Sequence, residues 1–307
     1  MIDPPFFVVN PQSANGLTGR RWNELEAKIR RRFGDCHHVF TQSPMHAVQL
    51  TVDALAQGRR SIVSVGGDGT LNEVVNGFLK ESERESSQAT LGLVSRGTGG
   101  DFGKTFGWNH DFDSALERIQ RGNRTKLDVG KIEYVDHQGA KASRHFLNVC
   151  SMGVSGLVDR EVNSTSKWLG GRASFFLGST KALIKYSDKS IRFRVDGGDW
   201  QHSKITALAA GNGKYFGGGM CVAPGADPSD GMFHITLWSG FGLRDFVFKA
   251  KSIYDGSHVR WEGTQVLQCK TLEAESDEEV LVDVDGEQPG RLPCRITLQP
   301  ARLPFFV

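Results

Sequence analysis

The chain has 307 residues, of which 38% are hydrophobic and 23% charged, the balance of a globular protein long enough to bury a core without disulfides. Its formal net charge of +2 is too small to argue for nucleic acid, and five scattered cysteines with no C-x-x-C pair argue against zinc sites and disulfide frameworks. No stretch approaches the roughly 20 apolar residues of a membrane span, and Phe6–Val9, after Asp3 and two prolines, is too short for a signal-peptide core.

Phe6–Val9 is an apolar run ending at Asn10-Pro11, which predicts a buried strand and a turn. Trp22, Leu25, Ile29 and Phe33 recur at helical spacing, with Glu24/Lys28 and Glu26/Arg30 as i,i+4 pairs on the other side. Cys36–Phe40 predicts a second strand, and Pro44 opens a helix carrying Val48, Val52 and Leu55. Ser61–Val65 predicts a third strand that runs straight into Gly66-Gly67-Asp68-Gly69-Thr70. Leu71, Val74, Val75 and Phe78 stripe the helix that follows. A polar loop spans Lys80–Thr90, and Leu91–Val94 predicts a fourth strand leading into the glycine-rich turn Gly97–Gly100.

Strands alternating with helices imply parallel pairing with helices on both faces. Ligands of such sheets bind beyond the carboxyl ends of the strands, where both glycine-rich turns fall. After about Leu127 the texture changes to strands: Ile191–Val195, Ile205–Ala209, Phe233–Trp238, Val280–Val284 and Arg295–Leu298. Helices are expected near Ala173–Tyr186 and Leu243–Tyr254.

The pentapeptide Gly66–Thr70 joins a strand to a helix. Adjacent glycines let backbone N–H groups approach phosphate oxygens, and a helix N-terminus favours negative charge. Asp68 adds a carboxylate suited to a hydrated metal ion. A tight turn with a helix cap is the plainer alternative. The segment has neither the G-K-[ST] of a Walker loop nor the G-x-G-x-x-G of dinucleotide folds. Asp285-Gly286-Glu287 presents two carboxylates on one side if extended, or a hairpin turn, since Asp-Gly is a strong turn signal. Asp227 and Asp230, three apart in a Pro/Gly-rich loop, suit a hard cation or an Asx turn.

Taken in order, these segments resemble the diacylglycerol kinase catalytic family, in particular bacterial lipid kinases related to sphingosine and ceramide kinases. The matching residues are Asn10-Pro11 with Ser13 and Gly16, GGDGTLNEVVNG at Gly66–Gly77, GTGGDF at Gly97–Phe102, Leu127–Gly130 and Phe146–Asn148. Further on come GNGKYFGGGM at Gly211–Met220, APGADPSDG at Ala223–Gly231, and Asp285-Gly286-Glu287. Gly100 and Lys104 stand where the family usually has Asn and Arg, and Ser95 where it usually has Pro.

The resemblance implies a three-layer α/β domain of the NAD kinase/diacylglycerol kinase type over residues 1–126, with a C-terminal strand at about 298–307 returning to it. A β-sandwich-like lipid-substrate domain follows over 127–297. It implies an ATP- and Mg2+-dependent kinase acting on a lipid hydroxyl. ATP would be lined by Asn10, Pro11, Gln12, Ser13, Ala14, Thr41, Gly66, Gly67, Asp68, Gly69, Thr70, Leu71, Asn72 and Thr98, with Lys104 and Lys167 as phosphate partners. Asp68 and Asp101 would work around the phosphates and Mg2+. Asp285 and Glu287 would be the acidic pair, one of them taking the hydroxyl proton. Asp227, Asp230 and the Met232 carbonyl would hold a structural Mg2+. An NAD kinase-like enzyme, and a non-catalytic lipid or nucleotide sensor on the same scaffold, are the alternatives.

The expected setting is a reducing cytosol, with transient contact at a membrane where the lipid is met, and an exposed sheet edge could support a homodimer. Arg30-Arg31-Arg32 reads as a solvated helix face, and His37-His38 as strand residues. Leu243–Tyr254 reads as a core-packing amphipathic helix with membrane docking as the alternative. Phe175-Phe176-Leu177 near Trp168 are candidates for a lipid cleft or for simple core packing.

Overall fold

In a computed structural model of the chain, residues 4–80, 89–97, 99–158 and 186–307 are described. Two compact units result: Met1–Leu127 with Ala301–Val307, and Asp128–Pro300.

In the first unit, β1 (Phe6–Val9) and β3 (Ser61–Gly66) are buried along their whole length, the signature of central parallel strands covered on both faces. They pair with β2 (His37–Phe40) and β4 (Thr90–Ser95) in the order β2-β1-β3-β4, all parallel. Phe305, near the end of the last strand, pairs in parallel with Leu91 of β4. Helix α1 (Leu17–Arg20) is a single turn. Helix α2 (Trp22–Phe33) buries Trp22, Leu25 and Ile29, and these pack with Phe7, Val9, Val63 and Val65. Helices α3 (His46–Ala56) and α4 (Asp68–Lys80) pack against each other. After the short α5 (Asp101–Thr105), α6 (Phe112–Arg121) buries Phe112, Ala115, Leu116 and Ile119 in the α2 core. Its N-cap Asp111 accepts the Ser114 N–H at 2.8 Å, and Gly122 closes it in the left-handed region.

The second unit is β-rich and mainly antiparallel. Its strands are β5 (Arg124–Asp136, which begins in the first unit), β6 (Lys141–Phe146), β7 (Val149–Gly153), β8 (Lys189–Val195), β9 (Gln201–Ile205), β10 (Ala207–Gly211), β11 (Tyr215–Phe216), β12 (Met220–Cys221), β13 (Phe233–Trp238), β14 (Thr264–Cys269), β15 (Thr271–Glu275), β16 (Leu281–Val284) and β17 (Glu287–Phe306). The main ladder runs β14-β13-β10-β7-β16-β17. Alternation sorts each strand: Cys150, Met152, Leu208 and Ala210 enter one core with Phe146, Phe233 and Val282, whereas Val149 and Ala209 face a second cluster with Met220, Trp238, Phe246 and Ile253.

Three expected elements differ. Ile205–Ala209 is two strands, broken where Thr206 gives its N–H to the Trp238 carbonyl and its hydroxyl to Asp188. The helix expected over Leu243–Tyr254 is two, α7 (Leu243–Phe248) and α8 (Ala250–Asp255), separated at Lys249. Arg295–Leu298 is the middle of the much longer β17. The helix expected near Ala173–Tyr186 lies, but for Tyr186, outside the described residues, as do 81–88 of the polar loop, Trp168 and Phe175–Leu177. Among the described residues, no helix is long and apolar enough to cross a membrane.

Candidate active site

The carboxyl ends of β1, β3 and β4 converge. Asn10 donates its N–H to the Val65 carbonyl (2.9 Å) and its Nδ2 to the Thr70 hydroxyl (3.0 Å), while its Oδ1 accepts the Gln12 N–H. Ser13 gives its hydroxyl to the Asn10 carbonyl, and Thr41 gives its N–H to Val9. Ala14 stands at φ 53 inside the same turn, after Pro11. Asn10, Gln12, Ser13, Thr41, Gly66, Gly67 and Thr70 are therefore gathered at one end of the sheet. Leu71 and Asn72 are packed into α4, 2% and 1% exposed. Thr98 and Lys167 lie outside the described residues.

The two glycine turns touch through their main chains. The Arg96 N–H reaches the Gly66 carbonyl at 2.7 Å. A Cβ built on Gly97 would stand 2.6 Å from the Gly67 Cα, and backbone cannot yield as a side-chain tip can. Asp68 bridges the turns: its Oδ2 accepts the Asp101 N–H at 3.0 Å and its Oδ1 the Phe102 N–H at 3.4 Å, which caps α5. Asp101 is 5% exposed and accepts from Lys104 Nζ at 2.6 Å. A Cβ on Gly99 would lie 3.3 Å from Asp68 Oδ2 and 3.6 Å from Asp101 Oδ2, so both carboxylates border one spot. Carboxylate oxygens beside half-buried main-chain turns fit a hydrated hard cation carrying phosphate.

Gly100 explains its own identity. It lies at φ +58, and a Cβ there would meet the His110 ring at 1.9 Å. The His110 imidazole occupies the space a side chain at 100 would take.

In the second unit the Asp285-Gly286-Glu287 segment is a hairpin turn, not extended. Val284 pairs with Glu287, and Asp285 (φ 51) and Gly286 (φ 86) are the two loop residues, both left-handed as a type I′ turn requires. The turn folds the Asp285 carboxylate onto three backbone amides: Leu147 N–H at 2.9 Å, and Asn148 and Val149 N–H at 3.0 Å each. Glu287 instead meets Arg144 at 2.6 Å. Burial first, then Cys294, Asp283 and Asp285, push the buried Cys150 thiol well above its ordinary value, so it stays protonated.

The other motifs of this unit are joined by long-range bonds. Asn212 donates Nδ2 to the carbonyls of Asp128 (3.0 Å) and Leu147 (2.7 Å), and Asp128 accepts the Gly231 N–H at 2.7 Å. Within the acidic loop, Asp227 accepts from Ser229, and Asp230 accepts the Met232 N–H at 2.9 Å and faces His234 Nε2 at 3.1 Å. These are the closures of Asx turns; a magnesium ion here would share Asp230 with His234. Sequence reasoning missed Arg144, Asp283 and His110 as neighbours of the predicted site. None sits in a run that announces a partner more than a hundred residues away, or, for His110, a space left by a glycine.

Also in this unit, Val154, Thr206, Phe216, Trp238, Phe246 and Ile253 are among the lining of a narrow apolar cavity of about 80 Å3.

A parallel α/β unit with two abutting glycine turns, joined in one chain to a β-rich unit with a buried-amide carboxylate, defines a class of two-domain proteins. Residues 4–132 match the diacylglycerol kinase catalytic domain, and residues 148–307 match the YegS C-terminal NAD kinase beta sandwich-like domain. The chain belongs to the diacylglycerol kinase family that these two domains make up. It is 26% identical over 287 residues to a protein named diacylglycerol kinase from Staphylococcus carnosus, covering 94% of this chain and 89% of that one. It is 25% identical over 297 residues to one of the same name from Mycobacterium tuberculosis, covering 96% and 92%. Its fold matches a crystal structure of a diacylglycerol kinase from Bacillus anthracis with a TM-score of 0.72, at 22% identity, over 99% of this chain and 96% of that one.

Proposed function

We propose that the protein is an ATP- and Mg2+-dependent kinase that phosphorylates the hydroxyl of a lipid of the diacylglycerol or sphingoid type. The abutment of the Gly67 and Gly97 main chains, with Asp68 and Asp101 bordering one spot, carries this conclusion. It is the furniture phosphoryl transfer needs: backbone donors for phosphate, and carboxylates for the cation that accompanies it. Magnesium, when bound near Asp68 and Asp101, neutralises phosphate charge. Lys104 and the Asn10–Ala14 turn face the same end of the sheet, and Asp227, Asp230 and the Met232 carbonyl are the candidates for a structural ion.

Asp285 accepts the proton of the lipid hydroxyl as its oxygen attacks the γ-phosphorus and ADP leaves. A positioned carboxylate of this kind is worth about 100- to 10,000-fold in rate. Glu287, tied to Arg144, supports the turn. The apolar cavity of the second unit supports a substrate with an alkyl chain. Membrane contact falls to α7 and α8: Phe246 and Ile253 pack inward, while Phe248 is 85% exposed beside the exposed Lys249 and Lys251. Phe248→Ser should lose flotation with phosphatidylglycerol vesicles; unchanged flotation removes this surface from consideration.

Purified protein is incubated with magnesium and γ-labelled ATP, and offered dioctanoylglycerol, monoacylglycerol, sphingosine, ceramide, phosphatidylglycerol or NAD. Label is expected in a lipid, and Asp285→Asn should abolish it. Label in NADP alone ends the lipid reading. Lipid binding without label in any acceptor makes the protein a sensor.

A further inference from the structure

Strands β16 and β17 pair out of register at one point. Leu281 faces Arg291 and Val282 faces Gly290, but Val284 faces Glu287. Between the two registers Asp283 alone opposes Gln288 and Pro289, so the extra residue is on β17. Asp283 itself keeps the regular pleat of β16, directly opposite Ser151 of β7, and strand alternation turns its carboxylate to the face opposite Val282 and Val284. Asp283 is 1% exposed, between Val282 and Val284, both wholly buried. Burying a carboxylate is costly unless hydrogen bonds answer it. Its Oδ1 accepts the Gly286 N–H at 2.8 Å, and its Oδ2 accepts from the Ser151 hydroxyl at 3.0 Å. Ser151 in turn lies 2.8 Å from the buried Ser155 hydroxyl.

These bonds surround the turn that carries Asp285. A non-glycine residue in the left-handed region persists when its surroundings over-determine it. Asp285 is held on one side by its own carboxylate on the Leu147–Val149 amides. On the other side, the next peptide N–H is held by Asp283, which β7 anchors through Ser151. We propose that Asp283 is a positioning residue for the reaction: it fixes the Asp285–Gly286 backbone, so that the Asp285 carboxylate stays seated on the Leu147–Val149 amides and aimed at the acceptor hydroxyl. Asp283 itself touches neither substrate nor nucleotide. The catalytic half of this inference rests on the kinase function proposed above; the structural half does not.

The test uses the full chain and the variants D283A, D283N and S151A. Turnover is measured on dioctanoylglycerol in mixed micelles, and backbone amide exchange is measured without substrate. D283A, folded by circular dichroism, should lose kcat on the order of a hundredfold, the effect of misplacing a reacting group by about 1 Å, with KM for ATP and lipid little changed. Exchange should quicken at Gly286 and also at Leu147, Asn148 and Val149, which Asp283 does not touch. D283N keeps an oxygen for the Gly286 N–H, and should restore both kcat and protection to within about tenfold of wild type, the scale of one hydrogen bond.

Wild-type kcat in D283A overturns the inference. So does lost kcat with unchanged protection at 147–149, or a folded D283N as slow as D283A. If D283A does not fold, S151A decides by the same pattern in smaller measure, and an unchanged S151A overturns it. A wild-type protein without turnover counts against the kinase function alone. The exchange arm then decides: equal protection of Leu147–Val149 in D283A and wild type rejects the role, and loss of it supports the role.

Discussion

The carboxylate of Asp68, the first residue of α4, caps the helix that begins at Asp101, 33 residues later, through a 3.0 Å bond to the Asp101 N–H. One side chain thus fastens the two glycine turns together and borders the spot assigned to the phosphates. Those two tasks separate by mutation. Asp68→Ala should cost about 1 kcal/mol, the worth of a helix cap, and abolish turnover. Asp68→Asn keeps an acceptor for the cap, and should lose activity with less loss of stability. Urea midpoints beside turnover rates make the comparison; an active Asp68→Asn would remove the carboxylate's charge from the mechanism.

Gly97→Ala places a methyl 2.6 Å from the Gly67 Cα. The turns must part, at about 1–3 kcal/mol, and the spot proposed for the phosphates must widen. Calorimetry should record weaker ATP binding at a temperature where the variant is folded. Unaltered affinity would mean the abutment serves packing alone.

Gly100 and His110 should behave as a coupled pair. Gly100→Ala brings both left-handed strain and a clash with the imidazole. His110→Ala in the same chain relieves only the clash. A double-mutant cycle should therefore show coupling of about 1 kcal/mol or more, as for residues in contact. Additive effects would put the His110 ring elsewhere.

His258 gives a pH signature. It is fully buried, and burial holds its imidazole below the ordinary value of 6.5, with Nδ1 hydrogen-bonded to the Ser252 carbonyl. The unfolded chain takes up a proton near 6.5, whereas the folded chain does so only at lower pH. Stability is therefore complete above 6.5 and falls as the pH drops below it, by at most about 1.4 kcal/mol per pH unit. His258→Gln should flatten that decline between pH 6.5 and 5. A variant with the wild-type slope would assign the proton to another group.

The first unit was largely legible in the sequence, because strands buried on both faces read as unbroken apolar runs and its helices keep one stripe. Helix α6 was overlooked, although Asp111 and Gly122 mark its ends and Phe112, Ala115, Leu116 and Ile119 its face. The second unit was less legible for a physical reason. The Thr206 break falls inside a run whose local pattern continues, and tertiary partners at Trp238 and Asp188 decide it. At Asp285 two local preferences competed, extension and the Asp-Gly turn, and the turn prevails with both φ angles positive. The bonds from Asn212 to Asp128 and Leu147 explain why motifs far apart occur in one set, yet nothing in their spacing reveals that they meet.

Residues Ala301–Val307 belong to the first unit, and Phe305 lies beside Leu91. On the ribosome, those residues emerge only after all of Asp128–Pro300. Co-translational folding usually completes domains from the N-terminus onward; here the first unit must wait, one edge of β4 uncovered, while the whole second unit is made. Its maturation is thereby timed by the synthesis of Ala301–Val307.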